Sequence, residues 1–276
     1  MRYRLIAVDL DHTLLDSNSL ISARNKQAIR KAVEMGVRFV IATGRMFKTS
    51  ISYLDDLELN EDMPMINYHG AMIEKSKSRE IIYHRPLANK IAVAVAEEAE
   101  RLNCHVSVFI GDNLYIDDES EYSDYYRSLT GIDLQAVGNL SRFLTVREAD
   151  PSKMSIIRWD GQIDSIETGL SEKFGDRLSI LQSRPYFLEI TDREATKGQA
   201  LRWLAEHENI RREEVIAIGD GHNDLDMVAY AGLGVAVANA RGRVKQAADL
   251  VTSSNNEDGV AEVIEKYVLG MSACSE

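Results

Sequence analysis

Three short apolar runs in this chain each end in an acidic or glycine-containing motif, and that recurrence constrains the fold more than any other feature. Residues 5–8 run into Asp9-Leu10-Asp11-His12-Thr13, residues 39–42 into Thr43-Gly44-Arg45, and residues 215–218 into Gly219-Asp220-Gly221-His222-Asn223-Asp224. Four-residue apolar runs bounded in this way read as buried strands. Helical signals fall between them. Ser22 can cap a helix to Met35, Gly36 can stop it, and strands follow at residues 37–42 and 65–67, with a turn near Gly70. Strand and helix in alternation predict a parallel sheet covered by helices. Open sheets of that kind gather their chemistry beyond the carboxyl ends of the strands, where these motifs stand.

The middle of the chain, residues 83–189, has a different rhythm. A helical pattern over 91–102 precedes Val106, Val108 and Ile110, the turn Gly111-Asp112-Asn113, and Leu114 with Ile116, which is a hairpin signature. A strand at 154–159, a helix at 163–174 and a strand pair at 178–181 and 186–190 complete a module expected to be α+β with an antiparallel sheet. From Lys197 the first rhythm returns: helix 197–207, strand 215–218, helix 224–231, strand 235–238, a short strand at Leu250 and Val251, and a last helix at 260–268. The expected organisation is therefore one sheet domain made of residues 1–82 and 190–276, interrupted by an inserted module at 83–189.

With 276 residues and a formal net charge of −12, the chain can bury a large core but repels a phosphate backbone, so nucleic acid is a disfavoured partner. The same charge means that any site for a small phosphate ester needs local cations. Cys104 and Cys274 give neither a disulfide framework nor a metal spacing, and the tail from Gly270 onward is expected to fray. No signal-peptide pattern opens the chain, and no apolar run approaches the ~20 residues of a membrane span. A cytoplasmic protein, a monomer or weak homodimer without membrane partners, is the expectation.

Asp9 and Asp11 stand two apart at a strand end, so both can point to one side. A carboxylate can attack phosphorus to give a hydrolysable aspartyl-phosphate, and a second carboxyl group can protonate the leaving oxygen and then activate water. The hydroxyl of Thr43 can donate to a phosphoryl oxygen while Gly44 lets main-chain amides approach. Lys197, in Thr196-Lys197-Gly198, offers a point charge to a transferring group. Asp220 and Asp224, on a tight glycine-containing loop with Asn223 between them, offer the hard oxygen ligands that suit Mg²⁺. Each motif alone has a plainer reading: a turn or capping pair for the aspartates, an ordinary turn at Thr43, a solvated surface lysine at Lys197, an N-cap loop at Asn223 and Asp224. The ordered set is what points to phosphoryl transfer. His222 has no second His or Cys at metal spacing and reads as a loop residue.

This set resembles the haloacid dehalogenase superfamily, and within it the Cof-type phosphatases with a large α/β cap of the C2 type. The resemblance spans nearly the whole chain, including Phe187-Leu188-Glu189-Ile190-Thr191 ahead of Thr196, Ala231-Gly232-Leu233-Gly234-Val235-Ala236-Val237, and Asn256-Glu257-Asp258-Gly259-Val260. It implies a Rossmann-like, doubly wound parallel sheet core with an inserted α+β cap domain. It further implies Asp9 as nucleophile, Asp11 as general acid/base, Thr43 and Lys197 as phosphoryl holders, and Gly44, Arg45 and Asn223 near the substrate. Mg²⁺ would be held by Asp9, Asp11 (through its carbonyl), Asp220 and Asp224. The implied activity is hydrolysis of small phosphorylated metabolites, sugar phosphates first among them. A phosphomutase using the same aspartyl-phosphate and a non-catalytic phosphate-sensing module are the alternatives. Two positions depart from the family pattern: His12 stands where Gly is usual, and Tyr68-His69-Gly70-Ala71 stands where Asn-Gly-Ala is common, with Asn67 two residues early.

Overall fold

A computed structural model describes residues 2–271; the tail around Cys274, expected to fray, falls largely outside them. In chain order the strands are β1 (Leu5–Asp9), β2 (Arg38–Ala42), β3 (Pro64–Asn67), β4 (Met72–Lys75), β5 (Ile81–His84), β6 (His105–Ile110), β7 (Asn113–Ile116), β8 (Leu134–Ala136), β9 (Lys153–Ile157), β10 (Leu178–Arg184), β11 (Phe187–Asp192), β12 (Val215–Gly219), β13 (Leu233–Ala236) and β14 (Leu250–Val251). They form two sheets, and the chain divides into two compact units. One unit takes in the chain up to Tyr83 and again from Thr196; the other is His84–Ala195.

In the first unit the sheet order is β14-β13-β12-β1-β2-β3-β4-β5. It is parallel from β14 to β3, and β4 turns back antiparallel on β3. Leu5, Ile6, Ala7 and Val8 are wholly buried, because β1 has a strand on each side and apolar layers above and below. The next strand in the chain, β2, lies on one side of β1 and β12 on the other. That reversal of strand order opens a crevice beyond the carboxyl end of β1. The helix Ala23–Glu34 begins where Ser22 accepts a hydrogen bond from the Asn25 amide, and it buries Ala28, Ile29, Ala32 and Val33. The strand expected at 235–238 lies two residues earlier, at β13. Leu233 and Gly234 pair with Ile216 and Ala217 of β12, so the ladder begins before the apolar run does.

In the second unit the sheet order is β10-β11-β9-β6-β7-β8. The β6–β7 hairpin closes with Ile110 opposite Asn113, and both turn residues, Gly111 and Asp112, have positive φ. The sheet is antiparallel except at one edge, where β8 runs parallel to β7. The helix Glu121–Thr130, which short-range patterns did not announce, supplies the crossover a parallel return requires. Strand alternation splits the sheet into two chemistries. Val106, Val108, Met154, Ile156, Leu188 and Ile190 join the helices Asn89–Arg101 and Ile163–Phe174 in an apolar core. The intervening positions carry His105, Ser107, Phe109, Lys153, Ser155 and Glu189. On that side Tyr122 and Tyr126 of the lone helix face His105 and Phe109, with ring centroids 5.6 Å and 6.4 Å apart. No helix among the described residues is long and apolar enough to cross a membrane.

Candidate active site

The motifs that are far apart in the chain meet at the carboxyl ends of β1, β2 and β12. Thr196 caps the helix Lys197–His207 by accepting from the Gln199 amide at 3.2 Å. Lys197, the first residue of that helix, then points inward. Its Nζ donates to Asp9 Oδ1 at 2.5 Å and to Asp224 Oδ1 at 2.6 Å. Lys197 and Asp224 are completely buried, which overturns the reading of Lys197 as a solvated surface lysine. The other oxygen of Asp224 accepts the main-chain N–H groups of Asp220 (2.9 Å) and Gly221 (2.8 Å). Asp224 therefore closes its own loop while it holds Lys197. Thr13 donates its hydroxyl to Asp220 Oδ1 at 3.2 Å. Asp9, Asp220 and Asp224 each place a carboxylate oxygen within 4.8 Å of the others.

Three carboxylates around one ammonium leave an excess of negative charge, and the protonation equilibria register it. Burial pushes the Asp9 carboxyl well above the usual range, the charge of Asp224 adds to this, and Lys197 offsets only part of it. Burial likewise raises Asp220, with Asp224 adding and His12 opposing. Burial works against the charged form of Lys197, but Asp224 and Asp9 outweigh it and hold the ammonium above its ordinary value.

Asp11 stands apart from this cluster. Arg45 donates to it through both Nε, at 2.9 Å to Oδ2, and Nη2, to Oδ1. The Asp11 side chain is 44 % exposed and that of Arg45 30 %. Arg45 also lies 5.2 Å over the Tyr53 ring. Its guanidinium is held above its ordinary value, since the Asp11 hydrogen bond and charge outweigh burial. The Arg45 amide donates to Thr43 Oγ1 at 3.1 Å, which leaves the buried Thr43 hydroxyl its own proton to donate. Asn223 reaches toward His69, with Nδ2 at 3.5 Å from Nδ1.

His12 has φ 62° and ψ 8°, a left-handed conformation that glycine adopts without steric cost. The usual Gly of the family is thereby explained; the His12 side chain is exposed. Three residues that hold the site together were not singled out from the sequence. Asn239 donates to the His12 carbonyl at 2.7 Å, and Asn255 donates to the Leu15 carbonyl at 2.8 Å. Asp226 accepts from the Gly198 amide at 2.9 Å. The late Asn-rich segment was visible as a match to the family; its task of fastening the loop after β1 was not. Asn67 is buried and donates to Ser50 Oγ at 2.9 Å and to the Arg45 carbonyl at 3.3 Å, behind the site.

Residues 6–264 match the family model described as haloacid dehalogenase-like hydrolase. The chain belongs to that family. Among relatives of this hydrolase, the Bacillus subtilis phosphatase YwpJ is 31% identical, with 95% of this chain and 99% of the relative covered. The Bacillus subtilis 5-amino-6-(5-phospho-D-ribitylamino)uracil phosphatase YitU is 30% identical, covering 95% of this chain and 97% of its own. A haloacid dehalogenase-like hydrolase from Bacteroides thetaiotaomicron has a solved structure that superposes with a TM-score of 0.86 at 33% identity, covering 96% of this chain and 99% of that one. Like the phosphatases it matches end to end, this member of the family is a phosphoric monoester hydrolase.

Proposed function

We propose that the hydrolase is a Mg²⁺-dependent phosphatase of small phosphorylated metabolites that works through an aspartyl-phosphate at Asp9. The observation that carries this reading is the Lys197 ammonium bound to both Asp9 and Asp224, which ties the first, third and fourth motifs to one point. Asp9 attacks phosphorus through a carboxylate oxygen, forming an acyl-phosphate as the ester P–O bond breaks. The departing oxygen takes its proton from Asp11. Water then attacks the same phosphorus, giving its proton to Asp11, and phosphate leaves with the Asp9 carboxylate restored. Thr43 and the Gly44 amide hold the phosphoryl oxygens, and Lys197 meets their charge. Arg45 grips Asp11 in the resting site, so Asp11 reaches the leaving oxygen only when the substrate draws Arg45 away.

The donor set fits a small divalent cation: three hard carboxylates converge within 4.8 Å, and burial and mutual repulsion raise Asp9 and Asp220. Asp9, Asp220, Asp224 and the Asp11 carbonyl would hold Mg²⁺, which when bound neutralises charge on the phosphoryl group. Some relatives act on a phosphoribityl ester, as YitU does by name, so phosphorylated sugars and polyols are the proposed substrate class, with the inserted unit acting as the cap that selects among them. The test is phosphate release from an aryl phosphate with Mg²⁺ or EDTA, by the native chain and by Asp9→Asn. Loss of at least about 10³-fold in the variant, together with a Mg²⁺ requirement, is expected. Equal release by both proteins would remove Asp9 from the chemistry.

A further inference from the structure

The turn between β3 and β4 is the most strained backbone at this site. Tyr68, His69 and Gly70 follow one another at φ 52°, 59° and 107°, and two of the three carry a Cβ that disfavours this region. Its neighbours over-determine it. The amides of Tyr68 and His69 donate to the carbonyls of Arg45 (3.0 Å) and Thr43 (3.1 Å), and Tyr68 is completely buried. Gly70 lies so close to Thr196 that a Cβ there would stand 2.2 Å from its carbonyl oxygen. The strain has one visible product, the placement of the His69 side chain.

The imidazole occupies the space that a side chain at residue 44 would fill. A Cβ on Gly44 would lie 2.2 Å from Cε1 and 2.5 Å from Nε2 of His69. The ring thus rests on the main chain of the second motif, beside Thr43, and its Nδ1 faces the Asn223 amide of the fourth at 3.5 Å. With the Asn223 amide toward Nδ1, the ring nitrogen nearer Gly44, Nε2, is the one placed to donate from this side of the ring. We infer that His69 contacts the substrate, donating through Nε2–H to a non-bridging phosphoryl oxygen seated at Thr43 and Gly44. The inference rests on the phosphatase reading of the site and adds to it a donor from a turn outside the four motifs.

The experiment compares native protein with His69→Phe, which keeps a ring over Gly44 but has no donor, and His69→Gln, whose amide can place a nitrogen near that of Nε2. Inorganic phosphate binding by calorimetry with Mg²⁺, aryl phosphate hydrolysis and thermal unfolding are read in parallel. A phosphoryl contact predicts about 10- to 100-fold weaker phosphate binding and a similar fall in kcat/KM for His69→Phe, the magnitude of one charge-assisted hydrogen bond. Partial recovery is expected in His69→Gln, with unfolding temperatures close to native. Native phosphate affinity in a folded His69→Phe would overturn the inference and leave the ring as a spacer. Should the native chain hydrolyse nothing, the phosphatase reading fails, and the phosphate affinities still decide the role of His69. Should His69→Phe unfold, His69→Gln and a His69→Asn variant carry the same comparison.

Discussion

Both units bury a lysine, and the two lysines are held differently. Lys197 is completely buried and bonded to two carboxylates that come from motifs 188 and 27 residues away. Lys153 is nearly buried and pairs with Glu189 on the neighbouring strand at 3.2 Å, with its Nζ 4.7 Å from the centre of the Phe109 ring. Glu189 keeps 17 % of its side-chain surface. The first arrangement concentrates charge in a largely buried cluster; the second spreads one pair across a sheet face. A buried ammonium among three carboxylates is poor design for stability alone, since an apolar replacement of a whole buried ion cluster is often at least as stable. Its value is chemical. The second is what alternation in a half-covered sheet produces.

The sharpest way to break this contrast is Lys197→Met. Leaving Asp9, Asp220 and Asp224 together without the ammonium should cost about 3–5 kcal/mol when divalent ions are chelated. Phosphate release should fall by about 10³-fold or more. Thermal unfolding in EDTA and then in Mg²⁺ reads the first effect, and Mg²⁺ should raise the unfolding temperature of the variant more than that of the native chain. Equal stability of variant and native chain in EDTA would mean that the cluster is not electrostatically loaded as described.

That experiment addresses the part of the molecule most legible from sequence. Asp9, Thr43, Asp220 and Asp224 could be named because a strand buried on both faces reads as an uninterrupted apolar run, and the polar motif that follows it is conspicuous; Lys197 was named from the ordered set of motifs it belongs to. What stayed hidden depends on distance or on weak local signals. The burial of Lys197 is one such feature, because the residue looks like any lysine until the helix start that carries it is seen facing Asp9. Asp226, Asn239 and Asn255 act by reaching main-chain groups across the fold, and although Asp226 and Asn255 stand in or beside segments that match the family, nothing in the sequence shows which group each one reaches. The Arg45 grip on Asp11 joins residues 34 apart. In the inserted unit, helix 163–174 was readable from its spacing. The helix Glu121–Thr130 was not, because its Tyr122, Tyr125 and Tyr126 carry no clear apolar stripe, and without it the parallel pairing of β7 with β8 was out of reach.

The second unit is tested by pH. Burial lowers His105 to about 4 from an ordinary value near 6.5, so the folded state keeps the ring neutral where the unfolded chain would charge it. The unfolded state then binds more protons between those two values, and stability falls as pH drops from about 6.5 toward 4 and levels off below that. By pH 4.5 the loss amounts to about 2–3 kcal/mol. Urea unfolding at pH 7.5 and pH 4.5 should show this loss in the native chain and a smaller one in His105→Phe, which keeps a ring against Tyr122 but cannot titrate. An identical loss in both would remove His105 as its source.

The smallest expected effect separates the two regions by sign. Among the described residues, four buried side-chain polar atoms lack a hydrogen-bond partner, and three of them share one face of the second sheet: His105 Nε2, Ser107 Oγ and Ser155 Oγ. Ser107 and Ser155 stand opposite each other on β6 and β9, both buried. A buried hydroxyl without a partner costs its desolvation and returns nothing. Ser107→Ala should therefore be neutral or stabilising by up to about 1 kcal/mol, read as a shift in the urea midpoint at unchanged slope. Thr13→Val in the first unit removes a hydroxyl that donates to Asp220, and it should destabilise by about 1–2 kcal/mol and lower turnover. If Ser107→Ala instead destabilises as much as Thr13→Val, an ordered water joins the two serines, and the polar face of the second sheet is as deliberately satisfied as the cluster around Lys197.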